Sequence, residues 1–251
     1  MTSNQRTLVA TEMAFRDQRR RPLLLLLLVV VPAYVITRSI AITQATPRRI
    51  GLPNDQVVIT TMKELHGAVM AGTAIAFVAA LCGVFVMQAA LEGDRRLVIA
   101  GFHPGETVIA RLIVLAAGTI LVVTVSMVVT AASFTPAAWT PFIGSALLIG
   151  LIYAALGALA GALLDKLSAT YLMLFLVLTD LGIAQNPMFG SGTPRWWAAF
   201  LPGFGPGRIM VDGAFSPVFG ASWALVMAVG WTAALAVAVS WVLRRAVGTR
   251  A

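Results

Sequence analysis

Asp180 is the one acid placed well inside a long apolar run, about 12 residues or roughly 18 Å from the start of that run at helical rise. A carboxylate at such depth is costly, and it marks a polar cavity, a proton path or a buried partner. The simpler alternative is a hydrogen bond to a neighbouring Thr or Ser, or a pair with Arg38, whose long side chain can also snorkel to the surface by itself. Other reactive residues do not form a constellation. His66 and His103 fall at opposite ends of their apolar run with Cys82 alone between them, which supports packing and surface roles rather than a metal site. Ser191, between Gly190 and Gly192, could be set beside His66 as an intramembrane serine protease, but no helix is available to hold it. The only two lysines, Lys63 and Lys166, do not end a GxxxxGK[ST] loop, so the chain has no means of hydrolysing ATP alone and is read as a non-enzyme.

Residues 91–111, LEGDRRLVIAGFHPGETVIAR, form a charged hinge between two apolar runs. Glu92, Asp94, Arg95 and Arg96 are expected to hold it in water. Leu97, Val98, Ile99 and Phe102 give it an apolar face that a solvated loop would not need. Gly101 can stop a helix, Pro104 can open the next, and Glu106 lies near that helix's positive end. The spacing predicts a short helix, a sharp turn and a long helix.

The elements that position these residues follow from composition. The chain has 251 residues, 59% hydrophobic and 11% charged, with mean hydropathy +0.89, which excludes an ordinary soluble domain. Six runs, 22–42, 66–90, 108–134, 142–164, 167–187 and 218–243, each supply the roughly 20 residues that cross a bilayer core. Continuous runs rich in Leu, Ala, Val and Gly argue against a membrane β-barrel, so the expected class is an all-α polytopic membrane protein in a single domain, 1–251. The first run is longer than a signal-peptide core and lacks a small-x-small cleavage site, so it is read as a retained span. Placing both termini in the cytoplasm puts twelve of the eighteen basic residues inside, which favours that orientation in the cell membrane. The net charge of +8 then reflects topology and attraction to anionic lipids, and leaves no soluble basic surface for nucleic acid.

Segment 1–21, with Glu12 and Arg16 at i,i+4 and a basic run at 19–21, is read as a surface helix or a frayed tail. Connections at 135–141 and 165–166 make spans three to five antiparallel neighbours. Gly150, Ala154, Gly157 and Gly161 give span four a small face, suited to tight packing within the chain or to a homodimer contact. Between the last two spans, 188–217 is too apolar for a free loop. Thr193 and Pro194 are expected to open a short helix bearing Trp196 and Trp197, PGFGPG to break it, and RIMVDGAF to form a second with Arg208 and Asp212 paired at i,i+4. The expectation is a re-entrant hairpin in the outer leaflet.

The basic N-terminal segment, six spans, hinge between spans two and three and apolar hairpin between spans five and six together resemble the permease subunits of ATP-binding-cassette transporters of the type-2 exporter class. The closest local likeness is EGDRRLVIAGFHPGETVIARL; no importer-type EAA loop is recognisable. The resemblance implies that 91–107 is a coupling hinge in which Arg95, Arg96, Leu97, Ile99, Phe102 and Glu106 dock a separate cytoplasmic ATPase. It implies ATP and Mg on that partner and no cofactor here, and a second permease, identical or sister, completing the transporter. It also implies a path along spans two and five, with Phe77, Met173, Val177 and Asp180 as candidates, closed outside by Trp196, Trp197, Phe204 and Phe215. Scarce charge along the path suits an amphipathic or apolar cargo such as a drug, lipid or glycoconjugate. The alternatives are a proton-coupled secondary transporter using Asp180, or a non-transporting membrane anchor subunit.

Overall fold

The computed structural model describes residues 3–20, 22–53, 56–189 and 196–248, without the side chains of 3, 23, 91, 92, 95, 247 and 248. Among the described residues eight α-helices follow one another: α1 (Ser3–Arg19), α2 (Pro22–Ile42), α3 (Met62–Ile99), α4 (Pro104–Ala131), α5 (Trp139–Leu163), α6 (Lys166–Val177), α7 (Phe204–Phe215) and α8 (Ser222–Gly248). The chain is an all-α, multi-pass membrane protein. Its six helical segments long and apolar enough to cross are Leu24–Ile42, Met62–Ala90, Pro104–Ala131, Trp139–Leu163, Lys166–Ala184 and Ser222–Ala246.

Local chemistry sets the helix starts. Thr61 caps α3, its hydroxyl accepting from the Glu64 amide while Glu64 Oε2 accepts from the Thr61 amide at 3.1 Å. Asp165 caps α6 by accepting from the Leu167 and Ser168 amides at 3.0 and 3.1 Å. Hydrogen bonding from Ser168, side chain and backbone, holds the Asp165 carboxyl below the usual range. The α5–α6 turn is further tied to α3, because Gln88 Nε2 donates to the Leu164 carbonyl at 3.2 Å and Lys166 Nζ lies 5.0 Å from the Phe85 ring centre.

The bundle is built around α3. Two-thirds of its apolar window is buried, against 17% for α8. Its most extensive neighbour is α5. A Cβ on Gly83 would overlap the Ala154 carbonyl, one on Gly157 would overlap the Ala80 carbonyl, and one on Gly161 would stand 2.7 Å from the Val84 carbonyl. The small face of span four is therefore spent inside one chain, on backbone-to-backbone packing that only glycine permits. That is the first of the two uses expected for it.

Two departures from the expected layout matter. The segment between α2 and α3 is a β-hairpin, β1 (Pro47–Gly51) antiparallel to β2 (Val57–Thr61), with Arg49 opposite Ile59 and Ile50 opposite Val58. And α6 does not run as an α-helix to the end of its span, because Leu178–Ala184 is a π-helical turn. Of the two forms expected for the N-terminal segment the structure has the helix, with Glu12 and Arg16 paired at 3.2 Å on its exposed side. It docks on α4 through the buried small residues Ala10 and Ala14, leaving Leu8 and Met13 outward.

Candidate functional site

The hairpin end of the bundle is organised by Asp180. Its side chain is fully buried and its Oδ2 accepts from the Tyr153 hydroxyl of α5 at 2.6 Å and from the Gly203 amide, just before α7, at 2.8 Å. Its Oδ1 accepts from Gln185 Nε2 at 3.2 Å, and the same Gln185 nitrogen donates to the Ala198 carbonyl at 2.9 Å. Neither a Thr or Ser nor Arg38 is the partner, as the simpler alternative had it; Arg38 is exposed on α2. The π-turn aims Asp180 at Gly203, and a Cβ on Gly203 would meet the Tyr153 hydroxyl at 2.8 Å and Asp180 Oδ1 at 2.9 Å. Three segments far apart in sequence thus converge on one carboxylate. Only a backbone amide without a side chain can approach it this way.

Re-entry of the chain between the last two spans takes the form of α7, whose residues are mostly buried against α5, α8 and α3. Its far end is tied to the α4–α5 connection by hydrogen bonds from the Ala137 amide to the Ala214 carbonyl and from the Ala138 amide to the Gly213 carbonyl, 3.0 and 2.9 Å. Arg208 and Asp212 do not pair as expected. Arg208 lies 5.8 Å from the Phe204 ring centre, while Asp212 Oδ2 accepts from the Gly220 amide at 2.8 Å. The Gly220 amide is already fixed by the backbone, whereas pairing with Arg208 would require ordering a long side chain. The helix start expected at Thr193 and Pro194, and Ser191, lie outside the described residues. Trp196 and Trp197 follow on a short 3-10 turn, Trp196–Phe200, with Trp196 80% exposed.

The expected gate residues do not gather at one point. Phe204 is buried beside Trp223 of α8, 5.6 Å between ring centres, whereas Phe215 packs on Phe134 at the opposite end of α7. Of the expected path residues, Met173, Val177 and Asp180 share the inward face of span five and are packed within the chain. Phe77 is half-buried on α3, about one turn from Thr73. Thr73 opens onto a crevice of about 20 Å³, lined by α3, α5, the π-turn and α7, in which Gln185 is the other polar group. That volume holds about one water, so in this conformation the crevice is a seam and not a passage.

The opposite end of the bundle carries the turn between α3 and α4. Helix α3 is unbroken from Met62 to Ile99, so the expected separate short helix is its final two turns. Gly101, with φ of 93°, reverses the chain and Pro104 opens α4 with Glu106 in its first turn, as the sequence predicts; that His103 and Glu106 form a reciprocal cap is shown by the structure alone. The expectation that Asp94 holds this region in water is wrong. Asp94 is 2% exposed and accepts from Arg111 Nε at 3.0 Å and Nη2 at 2.8 Å, a bidentate pair with Arg111 8% exposed. A two-pronged partner one helix away outweighs solvation. Arg6 of α1 donates to the Gly101 carbonyl at 2.9 Å, fastening the turn from a second side. Ile99 is left 79% exposed at the tip, beside exposed Arg96, with Leu97, Val98 and Phe102 half-buried; Glu106 faces inward as a cap. The side chain of Arg95 lies outside those described.

Among the described residues no group of three His, Cys, Asp or Glu could hold a metal ion. His66 Nδ1 lies 2.6 Å from the Thr43 hydroxyl, and Cys82 is buried in the core. No protein-family model matches the chain, and no curated protein matches it.

Proposed function

We propose that this chain is the membrane-spanning subunit of an ATP-driven exporter of the ATP-binding-cassette type, with the α3–α4 turn as its docking surface for a separate ATPase. One observation carries the reading: a turn fixed by a buried bidentate ion pair and by α1 nevertheless presents Ile99 bare to solvent. A rigid tip with an exposed anchor suits a helix-in-groove contact, and a flexible linker between spans would need neither. On this reading both termini lie in the cytoplasm, the protein resides in the cell membrane, a second permease completes the assembly, and ATP and Mg belong to the ATPase. The cargo is amphipathic or apolar.

The test is expression together with the neighbouring genes, followed by a search for an ATPase that co-purifies. Ile99→Glu changes a solvent-facing residue, so the fold is kept; ATPase retention is expected to fall by roughly 30-fold or more, as for a central interface anchor. Undiminished retention rejects the docking surface. One observation favours a second reading, proton-coupled transport: Asp180 is a fully buried carboxylate whose sequence neighbour Leu181 and hydrogen-bond partner Gln185 line the crevice.

A further inference from the structure

The β-hairpin has two faces of different character. One carries Ile50 and Val58 and packs with Leu52 on Leu65 and Val69 of α3 and Val211 of α7. The other leaves Val57 and Ile59 68% and 67% exposed, with Arg49 directly across from Ile59. Lys63 is exposed nearby, as is Arg48, which lies opposite Thr60 at the start of β1 on the other face, and among the described residues the neighbouring acid, Glu64, is occupied in accepting from Thr60 and Thr61. Two exposed β-branched side chains interleaved with cations do not suit open water.

We infer that this hairpin is a membrane anchor whose outer face sits at headgroup level, Val57 and Ile59 entering the acyl boundary and Arg48, Arg49 and Lys63 binding lipid phosphates. Three features select lipid over other occupants. Thr61 ends β2 and caps the spanning helix α3, so Ile59 lies within three residues of a membrane span. The two open edges of a two-stranded sheet need water, which confines it to the interface and keeps it out of the hydrocarbon. A second copy covering this face would bring the cations of both copies into one small interface, whereas anionic headgroups complement the charge.

The experiment places a nitroxide on Ile59→Cys in a Cys82→Ala background, reconstituted in phosphatidylcholine vesicles with or without phosphatidylglycerol. Thr37→Cys on the exposed side of α2 and Thr135→Cys in the α4–α5 connection give the lipid and water references. Relaxation by oxygen over nickel chelate at position 59 is expected to approach the lipid reference in the anionic vesicles. The exposed pair Arg48→Gln/Arg49→Gln should weaken this attachment roughly fivefold per arginine removed. Free access of nickel chelate in both vesicles overturns the inference. So does shielding from both reagents, which would mean a second copy covers the face, and so does immersion indifferent to lipid charge and to both arginines.

Discussion

Replacing Asp94 with Ala is expected to be among the most destabilising polar substitutions in this protein, although Asp94 stands in what reads as a solvated charge run. Its carboxylate and the Arg111 guanidinium are 3% and 9% exposed and share two nitrogens of the fork. Removing one partner leaves the other charge buried and uncompensated, at about 3–5 kcal/mol. For a chain of this size each kcal/mol lowers Tm by roughly 2–4 °C, so Asp94→Ala and Arg111→Met should each lose on the order of 6–20 °C. The double variant removes both charges and should recover much of that loss, lying above either single variant. Cys82 provides the assay: it is the chain's one cysteine, 2% exposed in α3, so a thiol-reactive fluorophore lights up as the bundle opens. All variants are compared at one scan rate, since unfolding in detergent is a rate process. Singles that shift Tm by only a degree or two, or a double that equals the sum of the singles, would refute a load-sharing pair at the turn.

Gly157→Ala should cost more than the usual ~1–3 kcal/mol of overpacking, because its methyl meets the Ala80 backbone and no side chain can yield; Gly144→Ala, with nothing within 4 Å, is the control, and equal Tm values for the two would contradict the close α3–α5 contact. Tyr153→Phe removes one hydrogen bond and leaves the buried Asp180 oxygen with one donor fewer, and should lose about 1–3 kcal/mol. Asp180→Asn keeps one oxygen for Tyr153 and Gly203, so transport in reconstituted vesicles should persist; its abolition, with assembly intact, would move the protein to the proton-coupled reading.

The parts legible in the sequence are those decided within a few residues. Gly101, Pro104 and Glu106 announce the turn because left-handed backbone, a missing amide and a capping carboxylate are local matters. The small face around Gly157 was equally readable, since lipid-embedded packing favours small residues wherever they line up. What stayed hidden needed partners from elsewhere. Asp94 meets Arg111 only because the turn folds α4 back on α3, and nothing in a run of Glu, Asp and Arg shows which member turns inward. Asp180 finds Tyr153 and Gly203 on two other stretches, and Gln185 across its own π-turn. The hairpin did leave a local sign, five β-branched residues at 57–61 after Pro53 and Asn54, but an all-helical expectation gave it no place.

The rigid and the yielding contacts divide the molecule in a way that bears on how a push at the turn would travel. Helix α3 runs without a break for 38 residues, about 57 Å, from its Thr61 cap beside the hairpin to Ile99. It is locked to α5 by backbone contacts at Gly83, Gly157 and Gly161, and to α4 by the Asp94–Arg111 pair. Those three helices cannot shift past one another without overlap or a stranded charge. The junction of α5 with the π-turn and the start of α7 is of another kind, a few hydrogen bonds on one carboxylate beside a water-sized crevice. Hydrogen bonds exchange partners at a net cost of about 1 kcal/mol each when water can enter, whereas overlapping backbones have no alternative arrangement. On the proposed function, displacement at Ile99 therefore moves α3, α4 and α5 together, and the seam at Asp180 is where the bundle gives.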